Sequence, residues 1–310
     1  MYKIGIDVGG MSIKSGIVKS GEIIHKLSKE TNRDGGVEVL AQDITQLVKE
    51  LLAQSKIDVK DVRSIGIGVP GVVTNDEAVT CVNLGLNNSL IVPILEKNFE
   101  GKKVSIGNDA NVAALAEYSY GSMKGYDSGV MITLGTGIGG GIVINEKLIT
   151  GGNGIGAEIG HMMISSNYFN CNCGNNGCFE TFCSATAIIK YVQKLVEEGK
   201  KTIIIEKAEN DINKITAKMV FDSYKENDEV AIEVVDRFKK YLAMGLANIV
   251  NFIDPQVISI GGGVSNASDI MLEGLTQKVK QHLPFKEGNI GEIVIAKFKN
   301  DAGILGASAL

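Results

Sequence analysis

A pattern of strand, glycine turn, strand, turn and strand opens the chain and returns about 125 residues later. Short apolar segments bounded by glycine, serine and asparagine are typical of β-hairpins. The predicted strands are 3–8, 13–18 and 22–27 in the first copy and 130–134, 141–145 and 148–149 in the second. Because an internal duplication builds similar structural units, we expect two lobes, with a glycine turn from each facing a cleft between them.

Length and composition permit two lobes and exclude several classes of protein. The 310 residues are enough for two packed cores, and a hydrophobic fraction of 44% argues against intrinsic disorder. With 31 Lys and Arg against 36 Asp and Glu, the net charge of -5 does not resemble a nucleic-acid-binding surface. The longest apolar runs, such as residues 257–260, are far shorter than the ~20 residues that span a bilayer. We therefore expect neither nucleic acid nor a membrane as a partner.

Four of the five cysteines lie within thirteen residues, at Cys171, Cys173, Cys178 and Cys183. Disulfides are the usual meaning of such clustering in a secreted domain. Here Asp7 interrupts the N-terminus before an apolar signal segment could form, which predicts a cytoplasmic protein with reduced thiols. Cys81 and Cys183 are expected to be small buried residues.

Longer segments with helical apolar spacing follow the strands. The predicted helices are 37–52, 110–120, 184–197 and 229–252, and further strands are 64–69 and 257–260. A further helix is expected to begin at a cap formed by Ser265 or Asn266. Strands that alternate with helices in this way predict an α/β protein.

Two glycine-rich segments match the G-x-G-x-x-G pattern of dinucleotide-binding folds, residues 66–71 and 135–140. That pattern binds a dinucleotide only where a helix opens directly from it. Pro70 interrupts the first segment, and a β-rich run follows the second. No Walker A sequence is present either. Hydride transfer is therefore disfavoured.

Glycine turns at strand ends have a second use, because successive backbone N–H groups without a nearby Cβ can surround a phosphate. Asp7 precedes the first turn, and Ser12 and Lys14 follow it. A carboxylate suits Mg²⁺, and a hydroxyl with an ammonium suits phosphate oxygens. A third glycine cluster, residues 261–263, follows a predicted strand. Three such turns at strand ends predict a phosphate site.

Six segments together resemble the ROK family of bacterial sugar kinases and repressors, within the hexokinase–actin superfamily. Residues 7–14 are similar to its DxGGTxxK phosphate motif, with Met11 in place of the threonine and Ser12 beside it. Four segments are similar to its GxPG loop, NDAN motif, second phosphate loop and GxExGH signature: 68–72, 108–111, 134–140 and 156–161. Residues 171–180 are close to CxCGxxGCxE, the most specific of the six.

The resemblance implies a fold and an assembly. Members have a two-lobed actin-like (ribonuclease H-like) ATPase fold of the α/β class, with duplicated mixed-sheet domains. The smaller N-terminal lobe would cover residues 1–112, with a C-terminal helix near 300–310 packing back on it. The larger lobe would cover residues 113–299 and include the cysteine loop. The family also suggests a homodimer or a homotetramer.

The resemblance further implies an ATP-dependent sugar kinase in which Asp109 is the general base for the attacking hydroxyl. The alternative interpretation of Asp109 is a helix N-cap, and this structural role is compatible with a role as general base. Sugar contacts are expected from Gly71, Asn83, Asn108, Asp109, Glu158, His161 and Glu180. Contacts with ATP and Mg²⁺ are expected from Asp7, Gly9, Gly10, Ser12, Lys14, Thr133, Gly135, Thr136, Gly137, Gly261, Gly262 and Gly263.

The cysteine signature predicts a metal ion. Three thiolates and one imidazole form the closed tetrahedral set of a structural Zn²⁺ site: His161, Cys171, Cys173 and Cys178. Reduced thiols without a metal are the competing interpretation. Because Glu158 and Glu180 flank the four ligands, the ion is expected to order the sugar site and to leave nucleotide binding nearly unchanged.

Glucose is the expected sugar, because residues 215–265 look like family glucokinases. N-acetylmannosamine, fructose and β-glucosides stay open, since loop 83–88 lacks the tryptophan of many family glucokinases. A repressor of the family would need a helix-turn-helix before the first strand, for which no room is expected ahead of residue 3. A non-catalytic sugar-binding protein would not need Asp7 or Asp109.

Overall fold

The computed structural model describes residues 1–75 and 77–310 as a mixed α/β protein. The strands are Tyr2–Val8 (β1), Ser12–Lys19 (β2), Glu22–Glu30 (β3), Val62–Val69 (β4), Val72–Thr74 (β5), Ala78–Cys81 (β6), Leu86–Leu90 (β7), Val104–Asn108 (β8), Ser128–Leu134 (β9), Ile138–Ile144 (β10), Lys147–Leu148 (β11), Val257–Gly261 (β12) and Glu292–Ile295 (β13). The α-helices are Gly36–Ser55 (α1), Val92–Asn98 (α2), Asp109–Tyr120 (α3), Glu180–Cys183 (α4), Ala185–Glu197 (α5), Ile203–Lys207 (α6), Ala217–Lys225 (α7), Glu229–Ile253 (α8), Ser268–Leu272 (α9), Leu275–Gln281 (α10) and Ala302–Ala307 (α11). Among the helices of the described residues, none combines the length and the apolarity that a bilayer crossing requires.

Two five-stranded sheets repeat one strand order. The first has the order β3-β2-β1-β4-β8, in which β1–β2 and β2–β3 are antiparallel and β1–β4 and β4–β8 are parallel. The second has the order β11-β10-β9-β12-β13, with β10–β11 antiparallel and β12–β13 parallel. A separate antiparallel sheet has the order β5-β6-β7. In each five-stranded sheet, the three strands of one copy lie side by side at one edge, as β3-β2-β1 and as β11-β10-β9. The predicted duplication of mixed sheets is therefore confirmed.

The parallel part of the first sheet brings three strand ends to one edge. Asp7 on β1 is level with Gly68 on β4, and Gly68 is level with Gly107 on β8. Since neighbouring strands lie about 4.8 Å apart, the ends of β1 and β8 lie roughly 10 Å apart. Open α/β sheets bind ligands beyond the carboxyl ends of their parallel strands. The candidate residues that follow β1, β4 and β8 are therefore collected at this edge.

Glycines on β1 and β4 allow helix α11 to lie directly on the first sheet. A Cβ on Gly5 would be 1.8 Å from the backbone oxygen of Ile304, and one on Gly66 would be 1.7 Å from that of Ala307. Any side chain at either position would push the helix away from the strands. Helix α11 packs on β1, β2 and β4.

The chain forms two compact units, and the division passes through β9 and β10. The first consists of residues 1–131, 141–157 and 296–310, and the second of residues 132–140 and 158–295. In the first unit, the buried face of α1 and the apolar residues of β1, β2 and β4 form one core. The lobe limits given above, 1–112 and 113–299, stay a prediction about domain organisation.

Two local predictions are wrong. The second glycine turn covers residues 135–137 rather than 135–140, because Gly135 N donates to Gly137 O over 2.9 Å and β10 already begins at Ile138. The helix predicted to start at Ser265 or Asn266 is preceded by a 3₁₀ helix that begins at Gly263. Both side chains donate to carbonyl oxygens, over 2.7 and 3.0 Å, instead of accepting from helix N–H groups.

Candidate active site

The first glycine turn joins β1 to β2 and leaves two backbone donors available. Gly9 N donates to Ser12 O over 2.9 Å, which closes the turn. Gly10 N and Met11 N form no hydrogen bond with the described residues. The Met11 side chain is 79% exposed and supplies no donor. Two unpaired N–H groups at a strand end match the anion-binding concavity that the sequence predicts.

Asp7 lies just before this turn in a largely buried position. A Cβ on Gly303 of α11 would be only 2.5 Å from its Cγ, so the glycine makes room for the carboxyl group. Burial raises the pKa of Asp7 above its usual value, while Lys14 opposes that rise through its charge and hydrogen bond. Lys14 Nζ is 3.4 Å from Asp7 Oδ2. A carboxylate with one such partner suits a divalent cation bound through water.

The segment after β3 supports the first turn, and the sequence analysis missed it. Thr31 Oγ1 donates to Gly9 O over 2.7 Å, and Thr31 N donates to Met11 O over 3.1 Å. Arg33 Nε donates to Gly10 O. No motif marks Thr31 or Arg33. The only available signal was that this segment directly follows the strand that pairs with β2.

Asn108 and Asp109 stand where β8 passes into α3. Asn108 Oδ1 accepts from Ala110 N over 3.0 Å and from Asn111 N over 3.1 Å, so Asn108 is the N-cap. Asp109 is the first residue of the helix, and its Oδ1 accepts from Ala110 N over 2.8 Å. The interpretation of Asp109 as the cap is therefore wrong. A carboxylate at this helix end is favoured by the helix dipole.

Two further sugar candidates lie in the first unit. Gly71 has a φ of 92°, and a Cβ there would be 2.2 Å from Thr80 O, so only glycine fits. Its carbonyl oxygen accepts from Asn108 Nδ2 over 2.9 Å, which ties the GxPG-like loop to the start of α3. Asn83 is exposed in a 3₁₀ turn between β6 and β7.

The second glycine turn joins β9 to β10 and is held by α5. Ala185 N donates to Gly135 O over 2.7 Å, and Thr186 Oγ1 donates to Thr136 O over 2.7 Å. Thr133 Oγ1 accepts from Gly139 N over 3.2 Å. The backbone N–H groups of Thr136 and Gly137 form no hydrogen bond with the described residues. This turn thus also offers two donors to an anion.

Glu180 connects the cysteine loop to the second turn, which the motif alone did not reveal. Its Oε2 accepts from Ile138 N over 2.9 Å, and its Oε1 is 3.5 Å from Cys171 Sγ. A Cβ on Gly137 would be 2.2 Å from Oε2, so the close approach requires the glycine. Sequence reasoning nominated Glu180 only as a sugar contact.

The third glycine cluster follows β12 in the second unit. Gly262 has a φ of 84°, and a Cβ there would be 2.4 Å from Leu134 O. Nothing lies within 4 Å of the Cβ position of Gly263, so this backbone borders open space. A cofactor or nucleotide could therefore approach the main chain here without a steric obstacle.

A cavity of about 320 Å³ adjoins the second turn. Its lining includes Thr136, Glu180, Thr186 and Lys190, all of which belong to the second unit. The ammonium of Lys190 lies 4.3 Å from the centroid of the Phe169 ring. Thr186 and Lys190 carry no motif, and helical spacing from the N-cap Ser184 was the only signal that could have placed them on one face.

The four predicted metal ligands converge. One ligand atom from each of His161, Cys171, Cys173 and Cys178 lies within 4.8 Å of every other. Cys171 Sγ is 3.6 Å from His161 Nδ1, and Cys173 Sγ is 3.6 Å from Cys178 Sγ. Cys183 is buried elsewhere and donates to Phe238 O over 3.7 Å, so it is outside the cluster.

These residues fit Zn²⁺. Bonds of about 2.3 Å in a tetrahedron would place the ligand atoms roughly 3.8 Å apart, close to the observed contacts. The hydrogen bond from Asn175 and neighbouring thiols lower the pKa of Cys173 to about 7, whereas burial raises that of Cys178 to about 12. A dication among them would stabilise all three thiolates. Gly174 and Gly177 have φ values of 92° and 91°, which fold the loop tightly.

His161 faces both the metal cluster and Glu158. Its Nδ1 points to Cys171, and its Nε2 is 3.9 Å from Glu158 Oε2. His161 N also donates to Glu158 O over 3.0 Å within a short 3₁₀ helix. Both side chains are about half exposed, at 42% and 53%. The geometry permits the two roles expected of His161, one for each ring nitrogen.

Comparisons with known proteins extend over the whole chain. The ROK family model matches residues 3–310. The glucokinase of Halalkalibacterium halodurans is 36% identical over 316 residues, covering 100% of this chain and 94% of that protein. The N-acetylmannosamine kinase of Haemophilus influenzae is 33% identical over 309 residues, covering 99% and 94%. Among solved structures, the ROK family glucokinase of Streptomyces griseus in complex with glucose and AMPPNP is 28% identical, with a TM-score of 0.80 and coverage of 99% and 98%.

Proposed function

The chain belongs to the ROK family, and we propose that it transfers the γ-phosphoryl group of ATP to a hydroxyl of glucose. One observation carries the proposal. The phosphate turn after β1 and the carboxylate of Asp109 after β8 lie at the same edge of the first sheet. Two strand spacings separate them by roughly 10 Å, enough for a phosphoryl group and a sugar hydroxyl to lie between.

In the proposed reaction, Asp109 accepts the proton of the sugar hydroxyl as its oxygen attacks the γ-phosphorus. A new oxygen–phosphorus bond forms, the bond to the bridging oxygen breaks, and ADP leaves with the electron pair. The free N–H groups of Gly10 and Met11 would bind phosphate oxygens. Those of Thr136 and Gly137 in the second unit are donors of the same kind. Asn108 would keep Asp109 in place through its cap and its bond to Gly71.

Two metal ions complete the proposal. Asp7 would hold Mg²⁺, which would neutralise charge on the phosphates. Zn²⁺ would be bound by the four-residue cluster and would order the chain around Glu158 and Glu180, the proposed sugar contacts. Gly262 and Gly263, which are exposed after β12, would border a nucleotide, whereas Gly261 is buried as the last residue of that strand.

N-acetylmannosamine is the second candidate substrate. The Haemophilus influenzae kinase of that name covers 99% of this chain at 33% identity, against 100% at 36% for the Halalkalibacterium halodurans glucokinase. The tryptophan-free loop around Asn83 also departs from many family glucokinases. The signatures shared by these enzymes do not separate the two sugars, so the test must include both.

An ADP-release assay with Mg-ATP and glucose, N-acetylmannosamine, fructose and a β-glucoside tests the proposal. We expect turnover to be fastest with glucose. Asp109→Asn should lower kcat by at least about 100-fold, the scale of a general base, and change the Kd for glucose by only a few-fold. Asp236→Asn, at an exposed position of α8, is the matched control.

Two outcomes would contradict the proposal. If no sugar were phosphorylated, a sugar-binding protein without catalysis would be favoured. If Asp109→Asn kept kcat within a few-fold of wild type, Asp109 would not be the base. We also infer from the family a cytoplasmic homodimer or homotetramer, and sedimentation would determine the assembly.

A further inference from the structure

Arg33 lies against the first glycine turn with most of its donors unused. Its Nε donates to Gly10 O, and its Nη2 is 3.9 Å from the position that a Cβ on Gly10 would take. The residue is exposed and forms no ion pair with a carboxylate of the described residues. A guanidinium has five N–H donors, so at least one edge of the group is free beside the turn.

Few neighbouring side chains supply such donors. Lys14 faces the carboxylate of Asp7, and Met11 has no donor at all. Apart from the backbone N–H groups of Gly10 and Met11 and the hydroxyl of Ser12, the guanidinium of Arg33 is the donor group that lies beside Gly10.

The backbone of Arg33 borders the loop that carries Asn83. Its carbonyl oxygen is 3.7 Å from the position that a Cβ on Gly85 would take. Asn83, two residues before Gly85, is a proposed sugar contact. Arg33 therefore connects the phosphate turn, through its guanidinium, to the proposed sugar loop, through its main chain. Under the proposed function, the phosphoryl group would pass from a nucleotide at the first element to a sugar at the second.

We infer that Arg33 binds the phosphoryl group that is transferred, whether ATP or the sugar phosphate carries it. The inference rests on the proposed function. A guanidinium matches the spacing of phosphate oxygens with two parallel hydrogen bonds, which a single ammonium cannot reproduce. In phosphoryl transfer, charge spreads over the three equatorial oxygens, and an arginine placed there lowers the barrier.

The variant Arg33→Gln separates this role from simple support of the turn. Glutamine keeps an N–H donor for Gly10 O but removes the charge. We expect the affinity for AMPPNP, measured by calorimetry, to fall about tenfold, or about 1.4 kcal/mol, and that for ADP to stay within about twofold. Arg33→Lys should recover part of the loss, and kcat should fall at least about tenfold in Arg33→Gln.

A second titration distinguishes the two carriers of the phosphoryl group. Loss of affinity for glucose 6-phosphate with unchanged affinity for glucose would assign the contact to the product as well. Arg63→Gln is the control, because Arg63 is exposed at the start of β4, the opposite end from the strand ends that form the site.

Equal losses for AMPPNP and ADP, or no loss for either, would overturn the inference. Failure of the proposed function gives a different result. If the wild-type protein phosphorylated no sugar, the comparison of AMPPNP with ADP would still decide whether Arg33 contacts the terminal phosphate.

Discussion

At the level of single residues, Asp7 carries an ionisable carboxyl group in a largely buried position. Its carboxyl group packs on Gly303 and has Lys14 as its ion-pair partner. Burial raises its pKa above the ordinary value of 3.8, so folding makes protonation easier than it is in the unfolded chain. Asp7 therefore contributes stability at low pH that is lost as the pH rises through its folded pKa. At neutral pH the ionised group destabilises the fold.

Asp7→Asn should therefore raise the melting temperature at neutral pH, because it removes the charge and keeps the shape. The gain should shrink as the pH falls through the raised pKa of Asp7, below which the native carboxyl group is itself protonated. Turnover with Mg-ATP should fall at least about tenfold in the same variant, since the proposed Mg²⁺ position is lost. Thermal melts across this pH range, beside Asp236→Asn, provide the measurement. A melting temperature at or below wild type would contradict this account.

At the scale of elements, the segment from the cysteine loop to the start of α5 connects two sites. One end carries three of the four proposed zinc ligands. The other end binds the second glycine turn through Glu180, Ala185 and Thr186. Because these residues belong to one short stretch of chain, a change at the metal should reach the turn. The initial expectation that zinc leaves nucleotide binding nearly unchanged is therefore revised.

Cys178→Ser should lose the zinc and weaken the binding of glucose and of AMPPNP, the latter by about tenfold or more. Metal analysis should find about one zinc per chain in the wild-type protein and almost none in the variant. Cys81→Ala is the control, because Cys81 is buried in the core of the first unit and lies outside the cluster. Zinc-free wild-type protein with full affinity for both ligands would show that the loop holds its shape without a metal.

For the molecule as a whole, the chain passes from the first unit to the second and back again. Glu117 binds the last segment that returns to the first unit, residues 296–310. Glu117 is fully buried on α3. Its Oε1 accepts from Lys297 N and Phe298 N over 2.7 and 2.8 Å, just after the chain re-enters at residue 296. Its Oε2 accepts from the N–H and hydroxyl groups of Ser122 over 2.7 and 2.8 Å. Four donors converge on one carboxylate. Only a group that accepts hydrogen bonds and donates none can satisfy all four.

Glu117→Gln should lower the free energy of unfolding by about 3 kcal/mol, because its NH₂ group would face donors and leave them unpaired. The melting temperature should fall by roughly 5–10 °C. Glu22→Gln, at an exposed position that begins β3, should change it little. Equal melting temperatures for the two variants would mean that the C-terminal segment does not depend on Glu117.

The fold class, the duplicated sheets and the family could be predicted from the sequence alone, and so could the convergence of the four residues of the candidate metal cluster. These predictions depend on local patterns. Strand periodicity, glycine turns and the spacing of the cysteines with an upstream histidine can each be identified within a short stretch of sequence. The same patterns located the first glycine turn, and they placed Asp109 at the start of α3. Ranges of the main strands needed only small adjustments, because a strand end is set by the turn beside it.

The groups that hold these turns became apparent only from the contacts between distant segments of the folded chain. Thr31 and Arg33 reach Gly9 and Gly10 because β3 pairs with β2 in one register, and no motif encodes that register. Glu180 reaches Ile138 across 42 positions of sequence because Gly137 leaves room for its carboxylate. Contacts of this kind depend on how distant segments pack, and packing is a property of the folded chain rather than of any one segment.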